Sequence, residues 1–253
     1  MTRAGEVGGE APLPSSLHGG RLSAATWVMI GCGLGGALVF TAAYAVEGVL
    51  RPGYDAWGDS ISTLSLGPFG WVQQLSFVVA GVLLMVSALG WHWLLAPGTG
   101  WRGFPLLRAL AGLGLIMDGG FATDSTGGHL TVHGEIHGIF AFVALGALAS
   151  ECFVLAERLT PEPGWRNWGS LAALAGTLTV VFAAMFAALG GHGGVTGLFE
   201  RLAGGADTAF GLAMVTRLVH QAVSVRPARA VARAVPDALG VAGAQAHADV
   251  SAA

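Results

Sequence analysis

The chain has 253 residues, of which 11% are charged and 53% apolar, with a formal net charge of -3. So little charge cannot clothe a water-facing surface, and the lack of a basic field argues against nucleic acid as a partner. The partner that fits this composition is a lipid bilayer.

Residues 1–23 hold Gly, Pro, Ser and a few charges before any apolar run. They read as a disordered cytoplasmic lead, because no pattern of basic start, short apolar core and small-residue exit stands there. Six apolar segments follow, roughly Ala24 to Val46, Gly70 to Leu95, Pro105 to Ala122, Thr131 to Leu155, Trp168 to Leu189 and Leu198 to Val219. Backbone amides cannot stay unpaired in hydrocarbon, so such segments must be helices. The third is short and rich in glycine. The expected fold is all-α: a polytopic membrane domain of six transmembrane helices over residues 24–222, with residues 223–253 as a cytoplasmic tail.

Tryptophans at 27, 71, 91, 93, 101, 165 and 168 fall near the segment ends, where an indole keeps its ring apolar and its N–H wet. Gly31, Gly35, Ala109, Gly112, Gly204 and Gly205 supply small faces for close helix approach. Cys32 and Cys152 lie inside spans and read as small buried apolar residues. All basic residues are arginine; with a cytoplasmic N-terminus, ten of them lie inside or at the inner edge and two, Arg51 and Arg201, outside. That bias places both termini in the cytoplasm of a multi-pass cell-membrane protein.

The same orientation gathers the polar residues on the outer side. The first external loop holds Glu47, Arg51, Asp55, Asp59, Ser60, Ser62 and Ser65, the second Asp124 and His129, and the third His192, Glu200 and Arg201. His129, His133 and His137 recur at i, i+4, i+8, which draws one slowly drifting stripe along a helix. His133 and His137 could together grip a zinc ion with an aspartate such as Asp124, or they could fix the bundle by hydrogen bonds. Asp118, Glu135, Glu151 and Asp207 fall within spans, where each needs a partner or a wet cavity. Glu200 and Asp207, seven residues apart, share a face of the sixth helix. Ser60, Ser62 and Ser65 lack a G-x-S-x-G elbow and read as capping or loop residues.

Four motifs carry a resemblance: Asp59-Ser60-Ile61-Ser62-Thr63-Leu64-Ser65-Leu66-Gly67-Pro68-Phe69-Gly70-Trp71, Phe121-Ala122-Thr123-Asp124, His133-Gly134-Glu135-Ile136-His137 and Gly197-Leu198-Phe199-Glu200-Arg201. Over about residues 25 to 222 the chain resembles the bacterial and archaeal membrane proteins of the domain-of-unknown-function family 998. Ala122 and Ser125 stand where that family usually has prolines. The resemblance implies a six-helix fold and brings no activity with it. More loosely, the Asp, Ser and H-x-x-x-H elements are similar to those of the ceramidase-type membrane hydrolases, which hold zinc with histidines and an aspartate.

The expectation that follows is an enzyme acting on a lipid or isoprenoid-like molecule, with hydrolytic or acid-base chemistry at the outer mouth. His133, His137, Asp124, Asp59 and Asp118 are its candidate catalytic residues. Asp55, Ser60, Glu200, Arg201 and Asp207 are candidates for binding the polar group, and His133, His137 and Asp124 for holding zinc. The competing expectations are a transporter or channel that relays protons or ions through the His and Asp groups, and a partner-binding membrane protein.

Overall fold

A computed structural model describes residues 22–125, 127–189 and 194–251, with side chains as far as 223. It contains six α-helices and a short 3-10 helix, and no strand among the described residues. The helices are α1 (Ala24–Leu50), α2 (Gly70–Leu95), α3 (Gly103–Gly120), α4 (Val132–Leu159), α5 (Arg166–Leu189) and α6 (Thr196–Ser251); the 3-10 helix, Ile61–Ser65, lies between α1 and α2. Each expected span falls on one of them. Of the six, α1, α2, α4 and α5 are long and apolar enough to cross a membrane. At 18 residues, α3 reaches about 27 Å at about 1.5 Å per residue. The chain divides into two compact units, Met1–Ala213 and Met214–Ala253.

Local chemistry sets the helix starts. Ser23 caps α1 by accepting the Thr26 amide at 3.1 Å, and Thr131 caps α4 by accepting the Gly134 amide at 3.2 Å. Each such cap satisfies an amide that the helix itself leaves unpaired. Pro105 stands in the first turn of α3, where its missing N–H costs nothing.

Consecutive helices pack in sequence, α1 on α2, α2 on α3, α3 on α4 and α4 on α5. Small residues set the approach. At the α2–α3 crossing a Cβ on Gly112 would lie 2.6 Å from the Gly81 carbonyl oxygen, so neither position admits a side chain without separating the helices. The small faces expected elsewhere are shifted. Gly204 and Gly205 meet nothing within 4 Å, and neither do Gly31 and Gly35, the latter two because α1 turns Thr26, Ile30, Gly33 and Gly36 inward instead.

Apolar side chains cover the outside of the bundle as well as its core, and a minority of polar ones are buried. Val28, Val49, Leu50, Leu106 and Ile139 are exposed, while Gln73, Ser87, Asp118, His137, Glu151 and Thr179 are buried. Contiguous apolar exposure of this kind suits lipid, not water. The tryptophans split: Trp57, Trp71 and Trp93 are exposed, as interfacial rings would be, but Trp91 and Trp165 are core residues, 3% and 0% exposed. Size explains the exception, since an indole fills a gap at a helix crossing as readily as it anchors to an interface.

Candidate functional site

The first connection, between α1 and α2, is folded by its own carboxylates. Asp55 accepts the amides of Trp57 and Gly58 at 3.1 and 3.2 Å, and Asp59 accepts the Asp55 amide at 2.9 Å. The Arg51 guanidinium donates to the carbonyls of Leu66 (2.7 Å) and Thr63 (3.3 Å), which fastens the end of the 3-10 helix. Tyr54 donates to the Ser60 carbonyl at 3.1 Å and in turn accepts from Arg201. Burial pushes the Tyr54 phenol above its ordinary range, against the opposing pull of the Arg201 charge.

The start of α6 docks onto this loop through its backbone. Its Leu198 and Gly197 amides donate to the Trp57 and Gly58 carbonyls at 3.0 and 3.3 Å, and a Cβ on Gly197 would overlap the Asp59 carbonyl. Arg201 donates to the Asp59 carbonyl at 3.1 Å. Its partners are thus carbonyl and phenol oxygens. Glu200 then points at the 3-10 helix, where one carboxyl oxygen accepts the Ile61 amide and the other the Ser62 hydroxyl, the latter at 3.3 Å.

Ser62 also meets His137. The His137 Nε2 lies 2.8 Å from the Ser62 Oγ. On the far side of the ring, Nδ1 faces the carbonyl oxygens of Phe121 (2.7 Å) and Asp118 (3.1 Å), with the Asp118 carboxylate at 4.0 Å. Two carbonyl acceptors at Nδ1 fix the proton there and leave Nε2 as the basic nitrogen facing the hydroxyl. The Phe77 ring of α2 stands edge-on to the imidazole, 5.8 Å between centroids. His137, Asp118 and Ser62 are 2%, 2% and 7% exposed, so the Ser62–His137 contact lies in a water-poor environment.

The other residues singled out in the sequence have different places. Asp124 accepts the Thr131 amide and hydroxyl, both at 2.7 Å. It stands so close to the start of α4 that a Cβ on Gly134 would overlap its carboxylate. Those two hydrogen bonds hold its carboxyl below the usual range. His133 is exposed, with its ring edge-on to Phe121 at 5.4 Å. Ser60 takes part through its carbonyl, which accepts from Tyr54 and Thr63. His192 lies outside the described residues.

Asp207 is deeper. It accepts the Cys152 thiol at 3.4 Å, and Glu151, beside Cys152 on α4, pairs with Arg108 of α3. Arg108 also lies over the rings of Phe104 and Trp91 at 5.0 and 5.6 Å. The two carboxylates on one face of α6 thus serve separate layers, because seven residues are about 10 Å along a helix.

As a metal site the expected trio does not assemble. Both nitrogens of His137 and both oxygens of Asp124 are engaged by protein atoms, and among the described residues no group of three or more His, Cys, Asp or Glu is placed to hold a metal. Ser62, one of three serines that read in sequence as capping or loop residues, places its hydroxyl between His137 and Glu200. Its one available signal was its position: in a motif beside the conspicuous Asp59, on the side of the bundle that holds the histidines.

The model of a family described as "Protein of unknown function (DUF998)" matches residues 34–217, a range that includes all four motifs meeting at this end of the bundle. No curated protein matches the chain, and no solved structure does.

Proposed function

We propose, for a chain that belongs to the DUF998 family, that it is a membrane-embedded serine hydrolase acting on acyl esters of lipids. The observation that carries this reading is the hydrogen-bond distance between Ser62 Oγ and His137 Nε2, with the imidazole tautomer fixed from behind by two carbonyls. A nucleophile, a base and a group that orients the base are the parts hydroxyl-based acyl transfer requires.

In this reading Ser62 Oγ attacks the ester carbonyl carbon while its proton passes to His137 Nε2. Collapse of the tetrahedral intermediate breaks the bond to the alcohol, which leaves with the proton from His137. Water then attacks the acyl-Ser62 ester, gives its proton to His137, and releases the fatty acid as Ser62 recovers its hydrogen. Asp118, whose Oδ1 has no hydrogen-bond partner among the described residues and faces Nδ1 at 4.0 Å, offers an acceptor oxygen on the Nδ1 side of the transient imidazolium.

All six helices are taken to span the membrane, with both termini cytoplasmic and the Ser62–His137 end facing outward. The arginine distribution supports this orientation, and the cell membrane is the location that follows. A lipid substrate suits the setting because its acyl chain can remain among the exposed apolar faces while the ester sits at the polar mouth.

The test is hydrolysis of acyl esters by protein in nanodiscs. Ser62→Ala and His137→Ala should each lower the rate ~10³-fold or more at equal folded yield; an unchanged rate in the Ser62 variant would refute the reading.

One observation favours a second reading, a proton or ion relay: Arg108, Glu151 and Asp207 form an ionisable layer deep in the bundle. Flux into proteoliposomes that is lost in Asp207→Ala and kept in Ser62→Ala would select it.

A further inference from the structure

The hydroxyl of Ser62 has two neighbours at once, His137 Nε2 at 2.8 Å and Glu200 Oε1 at 3.3 Å. Each contact needs one proton to be a hydrogen bond, and Ser62 supplies one. The Nδ1 proton of His137 is already held by the carbonyls of Phe121 and Asp118, and the second oxygen of Glu200 already accepts the Ile61 amide. For both contacts to be hydrogen bonds, a second proton must stand on Glu200 Oε1 or on His137 Nε2.

We propose that Glu200 is a positioning residue that stores this proton and thereby aims the Ser62 hydroxyl at His137. The proposal rests on the reading of Ser62 and His137 as nucleophile and base. With Glu200 protonated, its O–H donates to Ser62 Oγ, and Ser62 has one acceptor left, the basic Nε2. With Glu200 ionised and His137 neutral, the carboxylate competes for the Ser62 proton and draws it away from Nε2. The two one-proton states interconvert by a concerted shift. The Glu200 O–H bond breaks as Ser62 Oγ gains that proton, and the original Ser62 O–H bond breaks as Nε2–H forms. Charge moves from neutral carboxyl and imidazole to carboxylate and imidazolium, and nothing enters or leaves.

The charged and titratable groups near Glu200 are Tyr54 from the first connection, Asp118 from α3 and Arg201 from its own helix, with His137 of α4 reached through Ser62. Of these, Arg201 and Tyr54 are tied to each other, and the carboxyl of Asp118 lies beyond the imidazole, on its Nδ1 side.

Two readouts on full-length protein in nanodiscs test the assignment. The first is the pH profile of Ser62 labelling by a fluorophosphonate. Wild type should give a bell, losing rate about tenfold per pH unit on the alkaline side as the stored proton leaves. Glu200→Gln keeps a permanent N–H donor toward Ser62 and should lose the alkaline limb while retaining the acid one. The second is the 15N spectrum of His137, which needs no chemistry at Ser62. Nε2 should carry a partial proton in wild type and none in Glu200→Gln or in Ser62→Ala, where the bridge is cut. Identical Nε2 protonation in all three, or an alkaline limb that persists in Glu200→Gln, overturns the proposal. Absent labelling with the spectral difference intact would sink the hydrolase reading and leave the proton-storing role standing.

Discussion

His137 and Ser62 stand 75 positions apart in the chain, yet Nε2 and Oγ come within 2.8 Å. Four separate segments make that meeting possible. Arg51 and Glu200 hold the 3-10 helix that carries Ser62, while the end of α3 holds the ring of His137 through its carbonyls.

The docking of α6 predicts a contrast between two glycines of one helix. Gly197→Ala forces a methyl onto the Asp59 carbonyl and should cost about 1–3 kcal/mol, seen as a lower Tm in detergent, with loss of Ser62 labelling as Glu200 shifts. Gly204→Ala meets nothing within 4 Å and should be neutral or stabilising by up to about 1 kcal/mol, since alanine is the better helix former.

The capping carboxylate predicts a local acid response. Because the Asp124 carboxyl is depressed by its Thr131 hydrogen bonds, its contribution is fully present above the unfolded carboxylate value of about 3.9 and is lost as pH falls through the lower folded value. The protection of the Thr131 and Gly134 amides from hydrogen exchange, taken relative to the intrinsic rate at each pH, should therefore fall only below about pH 4 in wild type. In Asp124→Asn it should be lower at all pH values, with Ser62 labelling reduced much less than by His137→Ala.

The deeper layer should be separable from the site. Breaking the buried Arg108–Glu151 pair by Arg108→Ala or Glu151→Ala leaves a charge without its partner and should cost about 3–5 kcal/mol. The double replacement Arg108→Met, Glu151→Leu should recover most of that loss in thermal melts. Labelling of Ser62 per folded molecule should stay near wild type in the double variant.

Engagement of every His137 nitrogen and Asp124 oxygen by protein groups predicts that chelators leave Ser62 labelling and acyl-ester hydrolysis unchanged. A loss of activity restored by added zinc would contradict this arrangement.

Helix positions were legible because lipid leaves the backbone one solution: α2 occupies the expected Gly70–Leu95, and α5 ends at the expected Leu189. Which face of each helix turns inward was less legible. In a bundle surrounded by lipid both faces are apolar, so Gly33 and Gly36 could not be told from Gly31 and Gly35. The i, i+4, i+8 spacing predicts one stripe with His133 and His137 as its working pair, but α4 begins at Val132, which leaves His129 ahead of the helix and His133 in its exposed first turn. His137 alone of the three is buried, against α2 and α3. Ser62 was discounted for want of an elbow motif, since its placement depends on a five-residue 3-10 helix whose geometry is set by Arg51 and Glu200 from elsewhere in the chain. The partner of Glu151 was hidden for a similar reason: Arg108 reads in sequence as one more topology-setting arginine.

The most direct measurement is mass-spectrometric mapping of fluorophosphonate adducts on wild-type protein in nanodiscs, beside His137→Ala at equal folded yield. The account predicts a single adduct on Ser62 in wild type, slowed ~10³-fold or more when the base is removed. No adduct on Ser62 in folded wild-type protein, or equal labelling in the His137 variant, would contradict it.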